Sequence, residues 1–165
     1  ANASIHTGGA DGSGGPHDDT VEWNGSSFSV SDLLPTAKKS HGQTGTQNAT
    51  YLFGGRTPTV VATTEKYNGT SWSTDVELPT AVRNTGGSGT TNAALSFAGL
   101  APGITAVTNE YNGVAWSQTS ALSNGRYNLD GAGSQASPIA VGGSGTAGSE
   151  TYTTTGIGCA CIGGV

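Results

Sequence analysis

The sequence predicts an all-β fold assembled from a repeated four-stranded unit. Three observations predict it: a composition poor in helix formers, turn-forming pairs at regular intervals, and an internal repeat of 44 residues. The 165 residues include 28 Gly, only 10% are charged and 33% are hydrophobic. Leu, Lys and Glu are scarce, which leaves little material for helices. Low hydrophobicity also marks disordered chains, but those usually carry strong charge, and the formal net charge here is only −5. Short β-branched and aromatic runs between Gly-, Asn- and Ser-rich turns read instead as many short strands.

Charge excludes one class of partner. Six Lys plus Arg residues are dispersed along the chain and form no basic stripe for phosphates, so nucleic acid is not an expected partner. No window approaches the roughly 18 apolar residues of a membrane helix, so no membrane span is expected. The chain has no Met, and no signal peptide stands at Ala1. It reads as a mature form with its leader removed or as a segment of a longer polypeptide, and either suits export or a virion.

The repeat carries the most information. Glu22-Trp23-Asn24-Gly25, Phe28 and Leu33-Leu34-Pro35-Thr36-Ala37 form the first copy. At intervals of 44 follow Tyr67-Asn68-Gly69, Trp72 and Leu78-Pro79-Thr80-Ala81, then Tyr111-Asn112-Gly113, Trp116 and Leu122. Each copy continues through a basic residue (Lys39, Arg83, Arg126) and a Gly-rich stretch. An apolar run then ends in a small pair: Tyr51-Leu52-Phe53-Gly54-Gly55, Leu95-Ser96-Phe97-Ala98-Gly99 and Ile139-Ala140-Val141-Gly142-Gly143.

Each copy translates into strands. Asn-Gly suits a type I′ turn because both central residues then take positive φ. Val60–Tyr67 and Thr70–Val76 are expected as a hairpin about Asn68-Gly69, with Val107–Tyr111 and Val114–Gln118 as its equivalent. The pairs Trp23/Phe28, Tyr67/Trp72 and Tyr111/Trp116 flank the turn and are expected to meet across strands or between units. The apolar run supplies a third, buried strand and the segment after Leu-Pro a fourth. Four strands in 44 residues is the size of one propeller blade.

The order Leu-Pro, basic residue, apolar strand, Gly-Gly, acidic residue with Tyr, then Trp resembles kelch-type repeats. Glu65-Lys66-Tyr67-Asn68-Gly69-Thr70-Ser71-Trp72-Ser73 with the following Leu-Pro-Thr-Ala is similar to the kelch-like arrays in predicted virion and tail proteins of aquatic tailed phages. The resemblance spans roughly Ser4 to Tyr152. Ala98-Gly99, Leu122-Ser123 and Phe28 depart from the pattern. It implies a kelch-like β-propeller of about four blades used for structure or interaction. A fold resemblance by itself does not supply a function.

The termini hold partial copies, so a half-blade over 1–19, repeats over 20–63, 64–107 and 108–151, and a completing segment over 152–165 are expected within one domain. The halves complete one blade either within the chain, as a small ring, or between molecules, head to tail, by strand addition. The apolar segment Gly156–Val165 suits an inserted strand, and Ile157, Cys159, Cys161, Ile162 and Val165, with Ile5, are the candidate assembly residues. Cys159 and Cys161 stand one residue apart, which strains a bridge between them. An internal bridge, an intermolecular bond and two buried thiols all stay open. Two Cys are half a zinc site at best, so no metal or cofactor is expected.

Catalysis lacks a constellation. His6 and His17 lie near Asp11, Asp18 and Asp19, but 11–19 lacks the ligand order and terminal Glu of an EF-hand loop and reads as a Gly-rich connection. His41 has no carboxylate or nucleophile at a recognisable spacing, and no Gly-x-Ser-x-Gly elbow occurs, so no enzyme is expected. Glu22, Glu65 and Glu110 are expected to pair with Lys39, Arg83 and Arg126 between units. Asn2, Asn24, Asn48 and Asn68 stand in sequons as candidate glycosylation acceptors. The expected function is a non-catalytic repeating subunit of an extracellular filament or virion fibre, partnered by copies of itself. The alternative is a lectin-like module that attaches to cell-surface glycans through an exposed aromatic.

Overall fold

A computed structural model describes residues 3–144 and the strand 149–151. Those residues form four antiparallel sheets and no helix. The first sheet runs β1 (Ser4–Thr7), β2 (Thr20–Trp23), β3 (Phe28–Val30). The second runs β4 (Gly42–Thr46), β5 (Ala49–Phe53), β6 (Thr64–Tyr67), β7 (Trp72–Asp75). The third repeats it as β8 (Gly86–Thr90), β9 (Ala93–Leu100), β10 (Ile104–Tyr111), β11 (Trp116–Thr119), and the fourth is β12 (Tyr127–Ser134), β13 (Ser137–Ser144), β14 (Ser149–Thr151). Every sheet is a meander, so each strand pairs with its sequence neighbours.

The sheets straddle the boundaries read from sequence. A repeat counted from Thr20 contributes two strands to one sheet and two to the next. The N-terminal segment 1–19 supplies one strand, β1, which with β2 and β3 of the first repeat occupies the register of β5, β6 and β7. The first and fourth sheets share no strand pairing, and no closed ring is seen among the described residues. The completing segment 152–165 lies outside the described residues.

The hairpin loops differ from the expected type I′ turns. Tyr67 pairs with Trp72 and Tyr111 with Trp116, which leaves four-residue loops. Gly69 and Gly113 have φ of 92° while Asn68 and Asn112 keep negative φ. The reason is the side chain: Asn68 Oδ1 accepts from the N–H groups of Thr70 and Ser71, both at 2.9 Å. This Asx turn supplies the reversal, and Asn24 and Asn112 repeat it.

The small pair ending each apolar strand turns the chain in left-handed backbone. Gly54, Ala98 and Gly142 have φ of 65°, 52° and 71°, and Gly55, Gly99 and Gly143 have 104°, 113° and 96°. An L-residue tolerates the first value at a cost, whereas the second region belongs almost solely to glycine. The repeat therefore admits Ala98 but keeps Gly99.

Consecutive sheets pack face to face, with one apolar cluster per junction. Leu34, Leu52, Tyr67 and Trp72 with Ile5 fill the first, and Tyr51, Phe53, Ala94, Tyr111 and Trp116 the second. Leu95, Phe97, Leu122, Leu129 and Ala140 fill the third. Full burial of a Phe or Leu among these contributes roughly 1.5–3 kcal/mol. Leu34, Leu78 and Leu122 each begin a crossing between sheets, and their N–H groups bond the carbonyls of Asp18, Ala62 and Ala106, again 44 residues apart. At the inner edge β4, β8 and β12 converge. A Cβ on Gly87 would lie 2.5 Å from the Gln43 carbonyl oxygen, and one on Gly131 2.4 Å from that of Gly87. Only glycine permits this approach.

Candidate functional site

The aromatic pairs meet across their hairpins and also cross the junctions. Tyr67 donates to Glu22 Oε1 at 2.5 Å and contacts the Ser31 hydroxyl, while Trp72 Nε1 donates to Thr20 Oγ1 at 2.8 Å. One repeat later Tyr111 donates to Asp75 Oδ2 at 2.9 Å, and Trp116 Nε1 donates to the Tyr51 hydroxyl at 3.0 Å. Trp116 also stands 5.6 Å from the Tyr51 ring and 5.4 Å from Phe53 between centroids. Burial holds the Tyr51 hydroxyl neutral by pushing its pKa upward. Lys66 closes the same junction, 2.8 Å from Asp75 and over the Tyr51 and Tyr111 rings.

Trp23 and Phe28 are the exception. Their rings meet at 4.7 Å, but among the described residues no sheet covers their outer side. Phe28 is 69% exposed, against 8% and 7% for Trp72 and Trp116 at the same repeat position. Val30 on the same strand is 76% exposed. At the other end, Val141, the equivalent of Phe53, is 47% exposed. The two ends of the described array thus present unfilled apolar faces.

Of the other assembly candidates, Ile5 turns toward the second sheet and packs on the Leu34, Leu52, Tyr67 and Trp72 cluster. Ile157, Cys159, Cys161, Ile162 and Val165 lie outside the described residues, as does the sequon at Asn2. Asn24, Asn48 and Asn68 are exposed, and the first and last hold their Asx turns.

The ionic pairing differs from the sequence reading. Glu65 pairs with Lys38, not Lys39: Lys38 Nζ lies 2.5 Å from Glu65 Oε2 and donates to Thr63 Oγ1 at 2.9 Å, and both charged side chains are buried. Burial pushes each toward its neutral form, Lys38 down and Glu65 up, and their mutual attraction opposes this. Lys39 donates to the Gly14 carbonyl, Arg83 to Asn84 Oδ1 at 2.9 Å and Arg126 to the Gly142 carbonyl at 3.1 Å. Strand alternation explains the miss, since the residue before Lys39 is the one facing the junction. A 44-residue alignment had a signal to offer, because Lys38 and Arg126 share a position that Lys39 and Arg126 do not. Sequence reasoning also missed Gln47 and Gln135. Their amides donate to the carbonyls of Trp23 and Tyr111, each 24 residues earlier, at 3.2 and 2.7 Å.

The acidic N-terminal loop is internally satisfied. Asp11 Oδ1 accepts from the Ser13 N–H and hydroxyl and from the Gly15 N–H at 2.6–2.9 Å, which lowers the Asp11 pKa. His17 Nδ1 lies 2.7 Å from Asp19 Oδ2, and this partner raises the His17 pKa. Among the described residues no group of three or more His, Cys, Asp or Glu is placed to hold a metal. His41 Nδ1 is buried without a hydrogen-bond partner among them, and burial together with the Lys38 charge lowers its pKa to about 4.

A cavity of about 410 Å³ opens where β4, β8 and β12 converge. Gln43, Thr44, Ser88 and Asp130 line it among glycine backbone, and no aromatic does. Compared with known proteins, the chain matches no family model and no curated protein.

Proposed function

We propose that the chain is a non-catalytic structural module, a repeating subunit of an extracellular filament or virion fibre that assembles with copies of itself through β-strand contacts. On this reading its four sheets are blades of a kelch-like propeller array. The observation that carries it is the open edge of β1. The second, third and fourth sheets each begin with a Gly-rich inner strand, β4, β8 or β12, whereas the first begins at β1, in the register of β5. Gly8 and Gly9, with φ of 55° and 112°, match Gly54 and Gly55 and fix that register. The inner edge of β1 therefore has no paired strand among the described residues. Such edges recruit extended segments from other chains. The apolar segment from Gly156 to Val165 supplies a segment of suitable length and composition.

Sedimentation velocity and negative-stain electron microscopy of the full chain, beside a chain ending at Thr155, test this. The full chain should sediment well above its 16.3 kDa monomer and form ordered polymers, and the shortened chain should not. A full chain that stays monomeric at all concentrations overturns the proposal.

The exposed Trp23–Phe28 pair favours one second reading, attachment to glycans by sugar stacking. A glycan array probed with the monomeric fraction tests it, with Trp23→Ala as the variant that should lose binding.

A further inference from the structure

We infer that the outer face of the first sheet docks on the outer face of the fourth sheet of a second copy, continuing between molecules the junction that joins sheets within one chain. The inference rests on the assembly reading above and specifies its contact.

Strand pairing defines both faces. Trp23 pairs with Phe28 and Val21 with Val30, so these four side chains share one face, while Ile5 on the opposite face packs toward the second sheet. At the other end Ala132 pairs with Ile139 and Asp130 with Val141, which places Ile139, Val141 and Ala132 together with the exposed Asp130 beside them. Ala140, one residue out of phase, packs into the third-sheet junction. The two faces are therefore the ones that no sheet of the described chain covers.

The repeat says what belongs on them. Phe28 and Trp23 stand where Trp116 and Tyr111 stand in the third sheet, and Ile139 and Val141 stand where Tyr51 and Phe53 stand in the second. Those four equivalents form a completed contact: Trp116 lies 5.6 Å from Tyr51 and 5.4 Å from Phe53, and Tyr111 lies 5.0 Å from Tyr51. The same pairing sets Phe28 against Ile139 and Val141, and Trp23 against Ile139. Each face carries an apolar cluster bordered by polar side chains, Ser4 and His6 on the first and Asp130 on the second, and each cluster is complementary to the other rather than to itself. The contact is thus head to tail, and it propagates unless the rotation closes. Contiguous exposed apolar side chains of this kind mark an interaction surface.

Cross-linking tests it in a Cys159→Ser, Cys161→Ser background. Phe28→Cys and Val141→Cys are made separately and together. Oxidising a mixture of the two single variants should give covalent dimer well beyond that of either alone, and the double variant should give a ladder. Phe28→Asp should weaken self-association about 100-fold, as expected for an aromatic anchor at a contact centre. Phe28 is exposed in the isolated chain, so the variant should keep the circular dichroism of the parent. A persistent polymer without the 28–141 cross-link overturns this contact and leaves assembly through the β1 edge standing. A double variant that yields only a cyclised monomer shows closure within one chain and overturns it. A monomer at all concentrations overturns both readings, and glycan binding by that monomer that is lost on Trp23→Ala assigns the face to sugars instead.

Discussion

Replacing Glu65 by Asn leaves the Lys38 ammonium buried beside Thr63 with no counter-charge. Both partners are almost fully inaccessible, and their charged atoms are 2.5 Å apart. Removing one member of a buried pair strands the other charge and costs about 3–5 kcal/mol. The protein itself provides the control. One repeat later the same two positions hold Val82 and Asn109, both buried, so the scaffold accepts an uncharged pair at this place. The double variant Lys38→Val/Glu65→Asn should therefore lie within about 1 kcal/mol of the parent, since replacing a whole buried ion pair is often near neutral. Urea unfolding followed by tryptophan fluorescence, on both single variants and the double, completes the cycle. The expected coupling is at least about 2 kcal/mol. Single variants that each lose under about 1 kcal/mol, or a double variant that loses the sum of both, would refute the argument that burial makes this pair interdependent.

Three further predictions concern the buried His41 and the small pair Ala98-Gly99. With a folded pKa near 4 against 6.5 unfolded, His41 gives the unfolded state more bound protons between those values. Stability should then fall as pH drops from 6.5 toward 4, by up to about 3 kcal/mol, and His41→Leu (the residue at Leu129) should flatten that slope in urea titrations across the range. At the small pair, Gly99→Ala puts a Cβ 2.7 Å from the Arg83 carbonyl oxygen in a backbone region that L-residues avoid, and should cost about 1–3 kcal/mol. Ala98→Gly relieves left-handed strain and should be neutral or stabilising by up to about 1 kcal/mol, both read from thermal unfolding.

The sheets were legible because their signals are local and repeated. Asn-Gly, Leu-Pro and the apolar strands recur at one spacing, and each sets a turn, a crossing or a buried strand within a few residues of itself. The turn type was not legible, because Asn68 uses its side chain where the dipeptide rule assumes its backbone. The first sheet was legible as a partial copy, because Ser4 to Gly9 carries the strand and small pair of the later copies although two extra residues separate Gly9 from Thr20. The aromatic positions were read, but their division into buried and exposed was not. That division depends on whether a sheet precedes, a property of order in space rather than of any residue. Spacing points to a basic residue at Lys39, and only strand phase says that Lys38 is the one facing inward.

The three junctions share one geometry but not one chemistry. The first contains a buried ion pair beside its apolar cluster, the second an aromatic stack bridged by Lys66, and the third the buried Arg126 beside Leu95, Phe97, Leu122, Leu129 and Ala140. Near-identical tandem units are prone to exchange places during folding, because any copy can satisfy its neighbour. Here a swap would set Lys38 beside Asn109 without a counter-charge or leave Trp116 without the Tyr51 hydroxyl. Each junction thus acts as an address, admitting its own neighbour and penalising the others. The chain gains the ease of repetition while keeping a single threading order.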